Sequence, residues 1–559
     1  MRGEIGVTTI LRGLVHVGRT FALKFREQPR LCWGKIVLTP FLALIVSQGV
    51  AQEVRRPNFV ILLADDLGYS DIGCYGGEIE TPNLDALAAG GLRYSQHYNT
   101  ARCWPTRAAL LSGYYAQQVG RDALPGLAGG AQAERPRWSR LLPQLLAPLG
   151  YHSYHSGKWH VDGTPEEGGF ARSYLVNDHN RYFRPQSHLL DGKKLPQPKP
   201  EENYYVTTAI ADHAVTFLHD HHNQYGSEPF FAYVCFTAPH FPLQALQADI
   251  DKYRERYRQG WDDARSARWE RIKTLGQIPG TLAPLEPAIG PPYDFPEAIE
   301  RLGPGEVNRE LAWSELTPEQ QEFQATKMAI HAAMVDRMDQ EIGRIVEALR
   351  ATGAYENTVI LFLADNGASA EIMVRGDGHD PAAAPGSAAT FLSLGPGWSR
   401  VANTPFRRHK TWVHEGGIST PLVVHWPDGI KAHGEWRSQV GHVIDIAPTL
   451  VELAGGVWPP KDAPAGTPEP PGRSLVPSFA SESPTERTLW WLHEGNRAIR
   501  QGDWKLVAAK EESWQLYDLA HDRAETRDLS SEHPEKVAEL SKLWLEMTDD
   551  MAAERGAKE

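Results

Sequence analysis

Three uninterrupted apolar runs constrain the fold of this 559-residue chain more than any other feature. They are Asn58-Phe59-Val60-Ile61-Leu62-Leu63-Ala64, Phe230-Phe231-Ala232-Tyr233-Val234-Cys235-Phe236 and Thr358-Val359-Ile360-Leu361-Phe362-Leu363-Ala364. Each has strand length and no apolar–polar alternation, the pattern of a strand covered on both faces. Each also ends in polar residues: Asp65-Asp66, Pro239-His240 and Asp365-Asn366. In open α/β sheets ligands bind outside the carboxyl ends of the strands, so these three ends are expected to converge on one site. Helical patterns lie between the runs. In Thr81 to Gly90, Pro82 suits a first turn and Leu84, Leu87 and Ala88 share a face; in Met328 to Leu349, Ile330, Met334, Met338, Ile342, Ile345 and Leu349 recur at helical spacing.

Composition sets outer bounds. Apolar residues at 41% and DEKR at 23% are ordinary for a globular protein, which argues against wholesale disorder and against a polytopic membrane protein. A formal charge of −13 argues against a nucleic-acid partner, since phosphate backbones are held by clustered Lys and Arg. At the N-terminus, Arg30 and Lys35 precede the apolar run Ile36 to Val46 and the small residues Gly49 and Ala51. The run is shorter than the ~20 residues a membrane-crossing helix needs, so residues 1–51 are expected to be a signal peptide cleaved after Ala51. The mature protein is then exported, periplasmic or secreted, with no stable membrane span. Cys32 would be lost with the signal, leaving Cys74, Cys103 and Cys235. Export permits a Cys74–Cys235 bridge, but Cys235 sits in an apolar run and reads as a buried small hydrophobe.

Residues 245–325 are rich in charge and Trp, and Pro279, Pro284, Pro287, Pro291 and Pro292 are expected to break any long element, giving an insertion over the sheet. The Pro- and Gly-rich stretch Pro459 to Gly472 reads as a linker-like loop. After it, Leu489–Leu492, Ala498–Arg500, Trp504–Val507 and Trp514–Tyr517 look like short antiparallel strands of a smaller C-terminal sheet.

Adjacent Asp65 and Asp66 at a buried strand end repel by ~4 kcal/mol at ~4 Å and an effective dielectric of 20, which a cation would relieve. Asp365-Asn366 adds two oxygen donors, and an all-oxygen set suits calcium or magnesium rather than zinc. Taken singly, each motif also reads as a helix cap or a turn. The segment Cys103-Trp104-Pro105-Thr106-Arg107-Ala108-Ala109-Leu110-Leu111-Ser112-Gly113 carries more. It resembles the signature of the formylglycine-dependent sulfatases, in which the cysteine of a Cys-x-Pro-x-Arg core is oxidised to formylglycine. Trp104 and Arg102 depart from the small and uncharged residues usual at those places.

The resemblance runs over roughly Arg56 to Leu529 and is closest to bacterial arylsulfatase-type members. It implies an α/β fold with a large mixed, mostly parallel central sheet sandwiched by helices, alkaline phosphatase-like, and a smaller C-terminal antiparallel sheet. On that reading residues 52–440 form the catalytic domain and 441–559 the small sheet-plus-helix part. It further implies that Asp65, Asp66, Asp365 and Asn366 hold one Ca2+ per chain with the modified Cys103 touching it. Arg107 and Lys158 would hold the formylglycine hydrate, with His160 of Gly157-Lys158-Trp159-His160 beside it. His240 and Lys410, the latter five residues before Glu415-Gly416-Gly417, would contact sulfate and the leaving group.

The chemistry agrees. Hydrolysis builds negative charge on the leaving oxygen, so cations are needed where it develops. A sulfur-bound sulfate has no easy exit, whereas one hydroxyl of an aldehyde hydrate attacks and the other, deprotonated by His160, expels sulfate. The expected substrate is an aryl sulfate or sulfated carbohydrate, and a formylglycine-generating enzyme is an expected partner. Phosphonate monoester or phosphodiester hydrolases of the same superfamily, and an unmodified sugar-binding protein, are the competing readings. The chain is His-rich, with His152, His155, His221 and His222 reading as surface or core residues, and the basic run Arg407-Arg408-His409 around Lys410 reads on its own as a solvated loop. His179, Asn180 and His188 are further candidates to face substrate.

Overall fold

The computed structural model describes residues 55–125, 133–375, 378–482 and 486–556, so the expected signal peptide lies outside the described residues. In chain order, the main sheet is built from β1 (Asn58–Ala64), β2 (Leu92–Tyr98), β3 (His152–Gly157), β4 (Arg172–Val176), β5 (His188–Leu190) and β6 (Lys193–Lys194). It continues with β7 (Phe230–Cys235), β8 (Thr358–Ala364), β9 (Ser419–His425), β10 (Glu435–Arg437) and β11 (Gly441–His442). Their spatial order is β10-β2-β9-β8-β1-β7-β3-β4-β5-β6, with β11 also on β2. The three apolar runs are therefore adjacent central strands: β1 pairs in parallel with β8 from Asn58↔Thr358 to Ala64↔Ala364 and with β7 from Phe59↔Phe231 to Leu63↔Cys235. Antiparallel pairing enters on both sides, at β8–β9 and β2–β9 and at β4–β5–β6, so the sheet is mixed.

The absence of alternation in β1 follows from two separate cores. Val60, Leu62 and Ala64 pack under one helical layer, while Phe59, Ile61 and Leu63 face the opposite side. At about 1.5–3 kcal/mol for each large side chain buried, neither face has room for a polar residue before the strand ends. The helices that matter here are α1 (Pro82–Ala89), α2 (Cys103–Ser112), α3 (Val206–Tyr225), α4 (Trp261–Leu275), α5 (Pro318–Ala351) and α6 (Pro534–Gly556). The first core is closed by α3 and α5, the second by α2 together with the C-terminal sheet and α6. α5 begins with a capping box: Gln320 N donates to Thr317 Oγ1 at 3.3 Å and Thr317 N donates to Gln320 Oε1 at 2.9 Å, with Pro318 at the first position.

The insertion differs from expectation. Its segment before Pro279 forms α4, a helix of 15 residues. Two of its arginines turn inward: Arg265 and Arg268 are buried, and Arg268 meets Asp71 and Glu78, each at 2.8 Å. The stretch that holds Pro279, Pro284, Pro287, Pro291 and Pro292 forms no helix or strand. Cys74, Cys103 and Cys235 are all free thiols, with Cys235 inside the sheet beside Leu63. No helix among the described residues is long and apolar enough to cross a membrane.

The small sheet is β12 (Thr488–His493), β13 (Asn496–Gln501), β14 (Trp504–Ala508) and β15 (Gln515–Asp518), antiparallel throughout. A buried ionic cluster ties it to the main sheet. Lys505 of β14 meets Glu415 at 2.9 Å and Glu525 at 2.8 Å, and Arg523 meets Glu415 at 2.8 Å. Tyr98 of β2 donates to Glu415 at 3.0 Å. Lys505→Met would leave Glu525 as a buried carboxylate without its cation. Breaking a buried pair costs about 3–5 kcal/mol, so the denaturant midpoint is expected to fall markedly; an unchanged midpoint would show that the cluster contributes nothing.

Candidate active site

The carboxyl ends of the central strands meet as expected. β1 delivers Asp65 and Asp66, β8 delivers Asp365 and Asn366, the turn after β7 delivers His240, and the turn after β3 delivers Lys158 and His160. Cys103 is the first residue of α2, following Arg102 in an extended conformation, and Arg107 lies one turn on. Asp66 and His160 hold positive φ, 63° and 56°, a left-handed conformation that non-glycine residues adopt only where the surroundings impose it.

The side chains form one ionic network. Asp65 Oδ2 accepts from Lys158 Nζ at 2.6 Å, and Asp365 Oδ2 accepts from Arg107 Nε and Nη2 at 3.0 and 2.7 Å. Arg107 Nη1 also donates to the Lys158 carbonyl at 2.9 Å, locking the helix to the β3 turn. Asp66 Oδ1 accepts from Asn366 Nδ2 at 2.7 Å and Asp66 Oδ2 from Lys410 Nζ at 2.8 Å. His240 Nδ1 lies 2.5 Å from the Phe241 carbonyl, which can only accept, so that nitrogen carries the proton and Nε2 faces Asp66 Oδ2 at 3.7 Å. Imidazoles of His160 and His240 flank that of His179, with ring centres 5.8 and 5.4 Å away.

Asp65, Asp66, Asp365 and Asn366 are all 0–3% exposed. Burial opposes ionisation of Asp65, but Lys158 and Arg107 overcome it and hold the carboxyl well below the ordinary range. Asp365 is pushed up to about 7 by burial and by Asp65. Asp66 is raised by burial, with Asp65 and Glu371 opposing its charge further. The cations present thus offset burial at Asp65, while the charged forms of Asp66 and Asp365 stay disfavoured. Two buried oxygens, Asp65 Oδ1 and Asn366 Oδ1, have no hydrogen-bond partner. Ligand atoms of Asp65, Cys103 and Asp365 lie within 4.8 Å of one another, as do those of Asp65, Asp66 and His240. Orphaned oxygens among under-compensated acids fit an oxygen-liganded divalent cation. Burial raises the Cys103 thiol above its ordinary range, so as a thiol it is a poor nucleophile. Burial, Lys158 and His179 hold His160 neutral, and its Nδ1 is buried without a partner.

All ten candidate residues thus fall in one cluster. Of the further candidates, His179 joins it and Asn180 stands beside it, but His188 does not: its ring is bound by Tyr174 Oη at 3.1 Å and the Pro196 carbonyl at 2.9 Å. The basic run is not a solvated loop either, since Arg407 and Arg408 both engage Glu286. Sequence reasoning missed Glu371. Its Oε2 lies 3.0 Å from Lys410 Nζ and its Oε1 accepts from Arg102 at 2.8 Å, in a position 2% exposed. Against the cost of burial, Lys410 and Arg102 keep Glu371 well below the usual carboxylate range, and Lys410 is in turn held charged by Asp66 and Glu371. Arg102, which the sequence marked as a departure, is half of this pair.

A family model described as Sulfatase matches residues 57–457, and one described as N-sulphoglucosamine sulphohydrolase, C-terminal, matches residues 407–553. The chain is similar to an uncharacterised sulfatase of Schizosaccharomyces pombe, 32% identical over 88% of this chain and 93% of that protein. It is also similar to an arylsulfatase of Klebsiella aerogenes, 33% identical over 76% of this chain and 92% of the relative. The crystal structure of Ps i-CgsB shares its fold, with a TM-score of 0.62 at 24% identity over 88% of this chain and 93% of that one.

Glu371 holds Lys410, which holds Asp66. Glu371→Gln keeps the shape and removes the charge, and loss of such an outer partner typically costs about 10–100-fold in metal affinity or activity. Turnover of a sulfate ester is expected to fall in that range, with Glu371→Asp recovering part of it; wild-type kinetics in Glu371→Gln would remove Glu371 from the network's function.

Proposed function

The chain belongs to the sulfatase family and is a sulfuric ester hydrolase, and we propose that it works through a formylglycine formed from Cys103 and one calcium ion held by Asp65, Asp66, Asp365 and Asn366. The observation that carries this reading is the pair of orphaned buried oxygens, Asp65 Oδ1 and Asn366 Oδ1, in a three-carboxylate cluster facing the first residue of a helix. Donors that are all oxygen match calcium better than zinc.

The calcium, when bound, supplies positive charge beside the sulfate oxygens. The formylglycine supplies, as its hydrate, an oxygen nucleophile where the thiol offers none. The rest falls to the chain's own residues. The α2 N-terminus places free amide N–H groups and the positive end of the helix dipole at residue 103, favouring an oxyanion there. Arg107 and Lys158, each anchored on a carboxylate, hold positive charge beside the same position. His160, neutral and with an unpartnered Nδ1, accepts the proton of the second hydroxyl, the one that does not attack, so that sulfate is expelled and the aldehyde re-forms. On the other side Lys410, kept charged by Asp66 and Glu371, stabilises the departing oxygen, with His240 as the second contact, able to donate from Nε2 only when that nitrogen also carries a proton. The organic part is an aryl group or a carbohydrate. A separate maturation enzyme acts on Cys103, and the protein is exported on the segment ending at Ala51.

The peptide containing Cys103, taken from active protein and weighed by mass spectrometry, is expected to carry the aldehyde, and Cys103→Ala is expected to abolish turnover without lowering the melting temperature. Full activity with an unmodified thiol would sink the mechanism. Asp365→Ala is expected to lose calcium, by elemental analysis, together with activity; full turnover in a metal-stripped sample would overturn the calcium assignment.

A further inference from the structure

Beside the catalytic cluster lies a cavity of about 450 Å3, within the ~300–1,000 Å3 of small-molecule sites. It adjoins the cluster on two sides. Asn180, in its wall, follows His179, whose ring lies between those of His160 and His240. Phe391, also in its wall, packs against Phe241 at 6.2 Å between ring centres, and Phe241 stacks on His240 at 4.3 Å. A group leaving past His240 and Lys410 is thus next to this cavity.

The lining is not that of an apolar slot. Phe183 and Phe391 supply flat surfaces, while Asn180, Gln186, Gln197 and Gln244 supply amides. Gln244 is a fixed wall: its Oε1 accepts from Tyr182 N at 3.1 Å and its Nε2 donates to the Thr390 carbonyl at 2.9 Å. Two arginines reach the cavity, and no carboxylate among the described residues lines it. Arg181 is matched by Asp178 at 2.8 Å, whereas Arg184 is exposed and has no ion-pair partner among the described residues. In a chain of net charge −13, an unmatched guanidinium in a cavity beside an anion-processing site is a selective feature.

We propose that this cavity takes the organic part of the substrate as a hydroxylated ring bearing a second anionic group, which pairs with Arg184. This rests on the reading of the catalytic cluster given above. The exposed amides of Gln186 and Gln197 meet hydroxyls, Phe183 and Phe391 cover the apolar ring faces, and Arg184 sets the preference for a dianionic substrate over one with a single sulfate.

The test compares N-acetylglucosamine 6-sulfate with glucosamine-2-N,6-O-disulfate and with a 6-sulfated disaccharide carrying a uronic acid, the last two distinguishing sulfate from carboxylate as the second anion. Wild-type protein is expected to prefer at least one dianionic substrate in kcat/KM. Arg184→Gln is expected to cut that preference about fivefold, the scale of one exposed ion pair, through KM. Raising ionic strength is expected to shrink it in the wild type. Equal handling of single and double anions by the wild type, or an equal loss on all three substrates in Arg184→Gln, would overturn the proposal. Calorimetric binding of the disulfate to Cys103→Ala protein, with and without Arg184→Gln, reads the same contact without turnover. A failed catalytic mechanism would leave that difference intact, and a failed Arg184 assignment would erase it.

Discussion

The structure turns on the cost of placing three carboxylates, Asp65, Asp66 and Asp365, at the ends of strands that are dry on both faces. A single unpaired buried charge costs several kcal/mol, so the fold must bring cations to that point and hold them there. It does so from three directions: Arg107 from α2, Lys158 from the turn after β3, and Lys410 from the loop before β9. Each is at most 1% exposed, so each cation needs the acids as much as the acids need it. Helix, turn and loop are fixed relative to the sheet by the same contacts that build the site.

The loop carrying Lys410 shows how far this coupling extends. Its N–H donates to the Ala368 carbonyl at 3.1 Å, and Gly367 N donates to the Gly417 carbonyl at 3.0 Å. A Cβ on Gly367 would lie 1.9 Å from the Gly416 carbonyl, so these backbones approach as only glycine allows. The preceding Glu415 is gripped by Lys505 and Arg523 from the C-terminal part of the chain. The small sheet therefore touches no reacting group, yet it fixes the residue from which the Lys410 loop is hung. This gives the spacing from Lys410 to Glu415-Gly416-Gly417 a physical meaning: the cation at one end, the anchor at the other.

What was legible in the sequence was what is local and repetitive. Uninterrupted apolar runs marked β1, β7 and β8 because a strand buried on both faces admits no alternation, and the polar residues after them marked the site. The fixed offsets of Cys103, Pro105 and Arg107 marked the turn into α2. Adjacency of the three runs in the order β8-β1-β7 was not legible, since periodicity carries no register between distant strands. Glu371 was invisible because it is a single acid in a loop without pattern, defined only by the two cations that close on it. His179 and His188 looked alike, but one precedes β5 in a loop that turns toward His240, and the other sits inside β5 with both ring nitrogens engaged. The partners of the α4 charges were not legible, because sequence does not show that Asp71 and Glu78 lie opposite Arg268.

Charge counting links this network to the choice of reaction. Asp65, Asp66, Asp365 and Glu371 face Arg102, Arg107, Lys158 and Lys410, four of each sign joined through ion pairs at 3.0 Å or less. Fully ionised, the network is neutral, and burial disfavours the charged forms of Asp365 and Asp66 within it. The proposed calcium would complete the ionisation and leave a surplus of two positive charges. A sulfate monoester brings one negative charge, so one positive charge stays unmet in the ground state and can stabilise the leaving oxygen as negative charge shifts onto it while the bond breaks. A phosphate monoester dianion would meet the whole surplus already in the ground state and leave nothing in reserve. Stabilisation that grows between ground state and transition state is what accelerates a reaction, and on this count the network is matched to the sulfate ester.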